Sequence, residues 1–216
     1  MLVNKPIGWT SFDVIRKLRS VTRVKKVGHA GTLDPLATGL LIVCTGKMTK
    51  EINKYVAAEK EYTGTFTLGA VTPTFDLESE PQDFKPIDFV TPDLLLQTAD
   101  RFIGETDQIP PVHSAIKQQG KPVYLIARKG GEVTMIPRKI TIKEFEITSV
   151  EMPRVSFRVV CTTGTYIRSL AYDFGNAIGC GAYLSALCRT RIGEYSVKDA
   201  ITPEEFAYTL KDTDVL

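Results

Sequence analysis

The chain has 216 residues and a mass of 23.9 kDa, with 43% hydrophobic and 24% charged residues, so it is long enough to build its own core and is neither a disordered tail, a collagen nor a coiled coil. Twenty-seven basic against 25 acidic residues leave a net charge of +2, too little on its own to announce a nucleic-acid binder. The longest apolar run, around Leu40 to Cys44, is far below the ~18 residues of a membrane span, and Met1-Leu2-Val3-Asn4-Lys5-Pro6 lacks a secretory pattern, so the expected compartment is the cytoplasm.

Thr10 and Ser11 offer N-cap oxygens ahead of Phe12, Val14, Ile15 and Leu18, whose spacing predicts a helix ending near Arg19. Arg16, Lys17, Arg19, Arg23, Lys25 and Lys26 follow one another with no acid between them. Such a run is either a solvated face or a phosphate-binding stripe, and composition does not choose. Val27 to Gly39, with its glycines, Pro35 and polar side chains, predicts a loop pinned to the buried strand that begins at Leu40. Lys50 to Val56 reads as a short helix, and Glu61 to Leu68 as a half-buried strand with Tyr62, Phe66 and Leu68 on one face.

The proline-rich, acidic stretch from Thr72 to Pro92 predicts a long surface loop, closed by Thr91-Pro92 as cap and first turn of a helix through Phe102. A polar segment, Pro110 to Ser114, leads through Gly120 into a short helix over Tyr124 to Lys129. Ile140 to Val150 and Val155 to Cys161 can pair as a hairpin. Gly164-Thr165 opens a helix carrying Tyr166, Ile167, Leu170, Ala171, Phe174 and Ile178, which Gly179-Cys180-Gly181 ends, and a last strand near Leu184 to Ile192 precedes a helix starting at Thr202-Pro203. Without a repeat or a linker, this is one α+β domain, or a core with a lobe inserted at about 72–138.

Four scattered cysteines without a CxxC and only two histidines, His29 and His113, leave no zinc ribbon, redox motif or HExxH site. Asp34 is the most suggestive carboxylate, since a glycine-framed loop before a buried strand holds its backbone: it is a turn residue or a rigidly presented nucleophile or base. Arg168, in the first turn of a helix whose dipole disfavours a cation, is a surface residue or the partner that keeps a carboxylate ionised. Tyr62 is a core aromatic or a base-stacking platform. Leu187 and His29 decide nothing alone.

Lys5-Pro6-x-Gly-x-Thr-Ser, the run Gly28 to Gly39 (GHAGTLDPLATG), Lys60-Glu61-Tyr62 with Leu68-Gly69, Gln108-x-Pro110-Pro111-x-x-Ser114-Ala115, Gly164-Thr165-Tyr166-Ile167-Arg168 and Gly181-Ala182-x-Leu184-x-x-Leu187 resemble, in order, the motif series of the TruB family of bacterial tRNA pseudouridine-55 synthases. The resemblance implies a pseudouridine synthase fold: α+β, a mixed, mainly antiparallel sheet with flanking helices and an inserted lobe, using neither cofactor nor metal. By the same carry-over Asp34 is the catalytic aspartate, Tyr62 the active-site tyrosine and Arg168 the arginine paired with the aspartate. Leu187 is the apolar pocket residue and His29 meets the disrupted T-loop.

Lys5 matches the first motif, mainly a structural support, and is grouped with Arg19, Arg23 and Lys26 as a candidate RNA-binding residue. The implied partner is the T stem-loop of tRNA, with no membrane and no protein partner required. The short stretch after Tyr195 leaves no room for the RNA-binding PUA domain usual in the family. Pro73 and Phe75 alter the segment leading to Asp76, which therefore receives no role. The alternatives to a stand-alone enzyme are a guide-RNA-dependent synthase of the dyskerin type and a non-catalytic tRNA-binding or folding protein.

Overall fold

A computed structural model describes residues 1–114, 117–118, 121–123 and 133–213, so the helix expected over Tyr124 to Lys129 lies outside the described residues. In chain order the elements are β1 (Leu2–Lys5), α1 (Ser11–Thr22), β2 (Val27–His29), β3 (Ala37–Thr45), a 3₁₀ segment (Gly46–Glu51) running into α2 (Ile52–Ala57), β4 (Lys60–Leu68), α3 (Pro92–Asp100) and β5 (Gly104–Gln108). Two short strands follow, β6 (Lys117–Gln118) and β7 (Lys121–Pro122), then β8 (Arg138–Glu151), β9 (Arg154–Cys161), α4 (Ile167–Ile178), β10 (Ala182–Ile192), β11 (Tyr195–Ser196) and α5 (Pro203–Thr213). The class is α+β with mixed, mainly antiparallel strand pairing, as expected. No described helix is long and apolar enough to cross a membrane.

The chain divides into two compact units, Met1–Thr63 with Ala186–Leu216, and Gly64–Ser185, and β4 and β10 each contribute to both. The stretch 72–138 falls within the second.

In the first unit β3 is central. It pairs antiparallel with β1, from Leu2↔Ile42 to Lys5↔Gly39, antiparallel with β2, from Val27↔Thr45 to His29↔Val43, and parallel with β10, from Leu187↔Ala37 to Arg189↔Gly39. Successive side chains of a strand point to opposite faces, so the unbroken apolar run Leu40 to Cys44 requires cover on both. Leu41 and Val43 pack with Val3, Val27 and the Val14, Ile15 and Leu18 face of α1; Leu40, Ile42 and Cys44 pack with Ala30 and Ile192. A capping box between Thr10 and Asp13 starts α1, and Arg23, in the left-handed conformation at φ 57°, stops it. The helix thus runs to Thr22, past its expected end near Arg19, and Arg19 instead donates to the Val27 carbonyl at 3.0 Å. Val27 to His29, expected in a loop, form a strand because β3 extends to Thr45 and offers them an edge.

In the second unit the expected hairpin of β8 and β9 forms, with β5 on the far side of β8 over Gly104↔Ile142 to Gln108↔Arg138. Its core is aromatic: Phe66 stacks on Phe157 with centroids 4.1 Å apart, and Phe145 and Phe174 close around them. α4 ends, as its sequence predicts, on the left-handed Gly179. The stretch after Thr72 is less superficial than its prolines suggest, since Thr72, Thr74 and Asp76 are buried there.

Candidate active site

Asp34 stands half-buried in the connection between β2 and β3, whose backbone is tied down almost residue by residue. The Gly31 carbonyl accepts from Arg189 Nη2 at 3.1 Å. Leu33 is held at both polar groups by the buried Ser11 hydroxyl, which accepts from its N–H at 2.9 Å and donates to its carbonyl at 3.2 Å. The Asp34 carbonyl accepts from the Ala37 N–H at 3.1 Å, and the Pro35 carbonyl from the Gly8 N–H at 2.8 Å and from Lys5 Nζ at 3.4 Å. A carboxylate on such a segment keeps its position without being buried, which suits a group that must meet substrate.

Lys5 is fully buried, so its ammonium serves the carbonyls of Pro6, Trp9 and Pro35 and does not face an RNA backbone; this corrects its expected grouping with the RNA-contacting residues. Burial pushes its pKa down to about 8, with the negative charge of Asp34 opposing the shift and Arg189 adding to it. Burial also lowers the His29 imidazole below its usual range, opposed by a backbone hydrogen bond with Gly31 and reinforced by Arg189, so at neutral pH the ring is mainly uncharged.

Leu187, half-buried on β10, is tied to the strand that leaves the Asp34 loop, since it pairs with Ala37 and its carbonyl accepts from Thr38 Oγ1 at 3.3 Å. Tyr62 is buried on β4, on the face it shares with Phe66 and Leu68. Of the basic run, Arg16 pairs with Asp13 at 2.7 Å and Arg19 reaches back to Val27, while Arg23 and Lys26 point into solvent. The first unit therefore gathers Asp34, Lys5, His29 and Leu187 around one loop.

Arg168 belongs to the second unit and is no surface residue, being 4% exposed in the first turn of α4. Acceptors offset its charge at the positive end of that helix: the carbonyls of Thr74 at 3.3 Å and His113 at 2.9 Å, and the Asp76 carboxylate, with Oδ2 at 3.7 Å from Nε. Asp76 is itself buried, takes the Glu78 N–H on Oδ1 at 3.0 Å, and has its backbone oxygen held by the hydroxyls of Thr72 and Thr74. Phe75, at a positive φ of 63°, turns the chain here and stacks on Tyr172 with centroids 4.2 Å apart. Gln108 locks the entry to α4, donating to the Tyr166 carbonyl at 3.1 Å and accepting its N–H at 2.8 Å.

A family model described as TruB family pseudouridylate synthase, N terminal domain, matches residues 19–167, and one described as tRNA pseudouridylate synthase B C-terminal domain matches residues 168–215. The chain belongs to the TruB family. Among its TruB relatives, the tRNA pseudouridine synthase B of Flavobacterium johnsoniae is 49% identical over 98% of this chain and 95% of its own length, and that of Bacteroides fragilis 47% identical over 98% and 94%. Among solved structures, the chain is similar to one in a Cbf5-Nop10-Gar1 complex, with a TM-score of 0.76 and 30% identity, and to one in an H/ACA RNP bound to a substrate RNA containing 2'-deoxyuridine, with a TM-score of 0.74 and 27% identity. It spans 56% of the length of each of those two chains.

The TruB motifs account for Asp34, Tyr62, His29 and Leu187 as sequence signals, but leave out Asp76 and Arg189. Asp76 follows Pro73 and Phe75 in what reads as a surface loop, and only the buried threonines and the Arg168 contact single it out. Arg189 is one of two arginines near the end of β10, and its sequence signal is limited to Gly39, which makes room for its backbone.

Proposed function

We propose that this protein is a stand-alone tRNA pseudouridine synthase that converts uridine 55 in the T-loop to pseudouridine, with Asp34 as its catalytic carboxylate. The observation that carries the reading is the near full-length match, 98% of this chain against 95% of the relative, to a protein named tRNA pseudouridine synthase B. The guided alternative draws on the likeness to a chain of the Cbf5-Nop10-Gar1 complex, which is more distant, with 30% identity, and of which this chain spans 56%, so the stand-alone reading has the stronger support.

Pseudouridine formation breaks the bond from ribose C1′ to uracil N1, turns the base and joins C1′ to C5; C5 loses its proton and N1 gains one, so substrate and product are isomers and no reagent is consumed. The target base must first leave its stack, at a cost of a few kcal/mol. An ionised Asp34 serves this chemistry by attack on C1′, by addition to the ring or by assisting proton removal at C2′. The motif set holds no second carboxylate with acid–base spacing, which argues against simple hydrolysis. In this reading Tyr62 and Leu187 wall the flipped base, a mainly neutral His29 takes its place in the disrupted loop, and Arg168 supplies the fixed cation of the catalytic set. The solvent-facing Arg23 and Lys26 meet phosphates, a share read from the salt dependence of tRNA binding.

The decisive experiment incubates an unmodified tRNA transcript, or its isolated T stem-loop, with the protein alone and maps pseudouridine. Product at position 55 without guide RNA or partner is expected, and Asp34→Asn should retain tRNA binding with about 1% or less of the rate, because an amide is no nucleophile at neutral pH. Product that forms only with an added guide RNA or protein would replace this reading with the guided one.

A further inference from the structure

Three neighbouring strands of the first unit set one row of residues side by side: Lys5 of β1 faces Gly39 of β3, and Gly39 faces Arg189 of β10. Both long cationic side chains of the row are fully buried, at 0% and 1% exposure. A buried guanidinium is costly unless its N–H groups are answered, and a well-packed apolar side chain of similar volume would often serve stability as well or better. What Arg189 does with its donors is therefore informative. Nε donates to the Leu40 carbonyl at 2.8 Å and Nη2 to the Gly31 carbonyl at 3.1 Å, so one planar edge holds the chain on both sides of Asp34.

The fit around it is close. A Cβ on Gly39, whose φ is +103°, would stand 2.4 Å from the Arg189 carbonyl oxygen and 2.6 Å from its nitrogen, and one on Gly31, at φ +87°, would stand 3.6 Å from Nη1. Gly39 thus makes the space that the Arg189 backbone occupies, whereas at Gly31 the guanidinium lies at ordinary contact distance and it is the positive φ that favours glycine. Lys5 completes the arrangement from the other end of the row by reaching Pro35, the residue after Asp34.

We propose that Arg189 is a positioning residue for the reaction: it sets where the Asp34 carboxylate stands by tying the Gly31 and Leu40 carbonyls to one rigid fork, and it never touches the substrate. The proposal rests on Asp34 being the catalytic carboxylate. A lysine cannot replace the fork, because a single ammonium does not present two parallel N–H groups at fixed spacing.

The test compares Arg189→Lys and Arg189→Met with the unaltered protein on an unmodified T stem-loop, reading the single-turnover rate of pseudouridine formation, the dissociation constant and the melting temperature. Arg189→Lys should bind RNA within about twofold of the unaltered protein yet react about 10- to 100-fold more slowly, the loss expected when a reacting group is displaced by a fraction of an ångström to an ångström. Arg189→Met should be slower again, and if it does not fold, Arg189→Lys alone decides. A wild-type rate for Arg189→Lys overturns the proposal, as does a rate that falls only in step with affinity and folded fraction. Asp34→Asn, run alongside, separates the two readings: turnover in that variant removes Asp34 from the chemistry, whereas an inactive Asp34→Asn beside a fully active Arg189→Lys removes only Arg189.

Discussion

Asp34 of the first unit and Arg168 of the second are supported in opposite ways. Asp34 is half-buried, and what holds it is its own backbone, through the carbonyls of Gly31, Asp34 and Pro35 and both polar groups of Leu33. Arg168 is buried, and what holds it is its own side chain, answered by Thr74, His113 and Asp76. A loop carboxylate held through its main chain can stay accessible at little electrostatic cost. A cation held through its head group must be enclosed by acceptors, and its enclosure makes the surrounding residues interdependent.

Breaking either support should therefore fail differently. The largest loss of stability is expected from Gly39→Ala, whose methyl would meet the Arg189 backbone at 2.4 Å in a conformation that L-residues rarely adopt. About 4 kcal/mol is the scale for combined overlap and strain, read as a fall in melting temperature, and a melt unchanged from wild type would mean that β3 and β10 part easily. Asp76→Ala, on the other side of the comparison, removes a buried carboxylate from Arg168 and should cost about 3 kcal/mol in denaturant unfolding. A loss below about 1 kcal/mol would show that Arg168 is held without the Asp76 carboxylate.

The smallest effect is a gain. Burial raises the Asp173 carboxyl on α4 to about 6, so the folded protein holds this proton more tightly than the unfolded chain. A raised carboxyl contributes stability below the unfolded pKa of about 4 and loses it as pH climbs towards 6. Asp173→Asn should thus be more stable than wild type at pH 7, by about 1 kcal/mol once solvent screening of a partly exposed group is allowed for, and no more stable at pH 3.5. A gain independent of pH would trace to something other than ionisation.

The same contrast explains what the sequence discloses. The Asp34 loop is legible because main-chain support demands particular residues at particular places: glycines where φ is positive, a proline after the aspartate, a run of aliphatics to anchor the strand. The β8–β9 hairpin and the ends of α4 are legible for the same reason, since period-two alternation and Gly179 are local signals. Asp76 is not, because burial of the segment after Thr72 depends on contacts made far along the chain, such as the Leu184 N–H on the Phe75 carbonyl at 2.9 Å. Arg168 is displaced from surface to interior in the same way, as no spacing rule announces the carbonyl of His113. Lys5 sits in a motif that marks it, but its burial is set by Trp9 and Pro35, which the motif spacing does not bring together.

Trp9 is the only tryptophan in the chain, and it packs against the core beneath α1, in the first unit. The second unit is built on phenylalanine, which emits negligibly when light excites the indole. Emission therefore watches one unit and is blind to the other, while far-ultraviolet circular dichroism sums over both. Superimposable melts by the two signals would mark a single cooperative transition, and a separated pair would give each unit its own transition temperature without any label having been added.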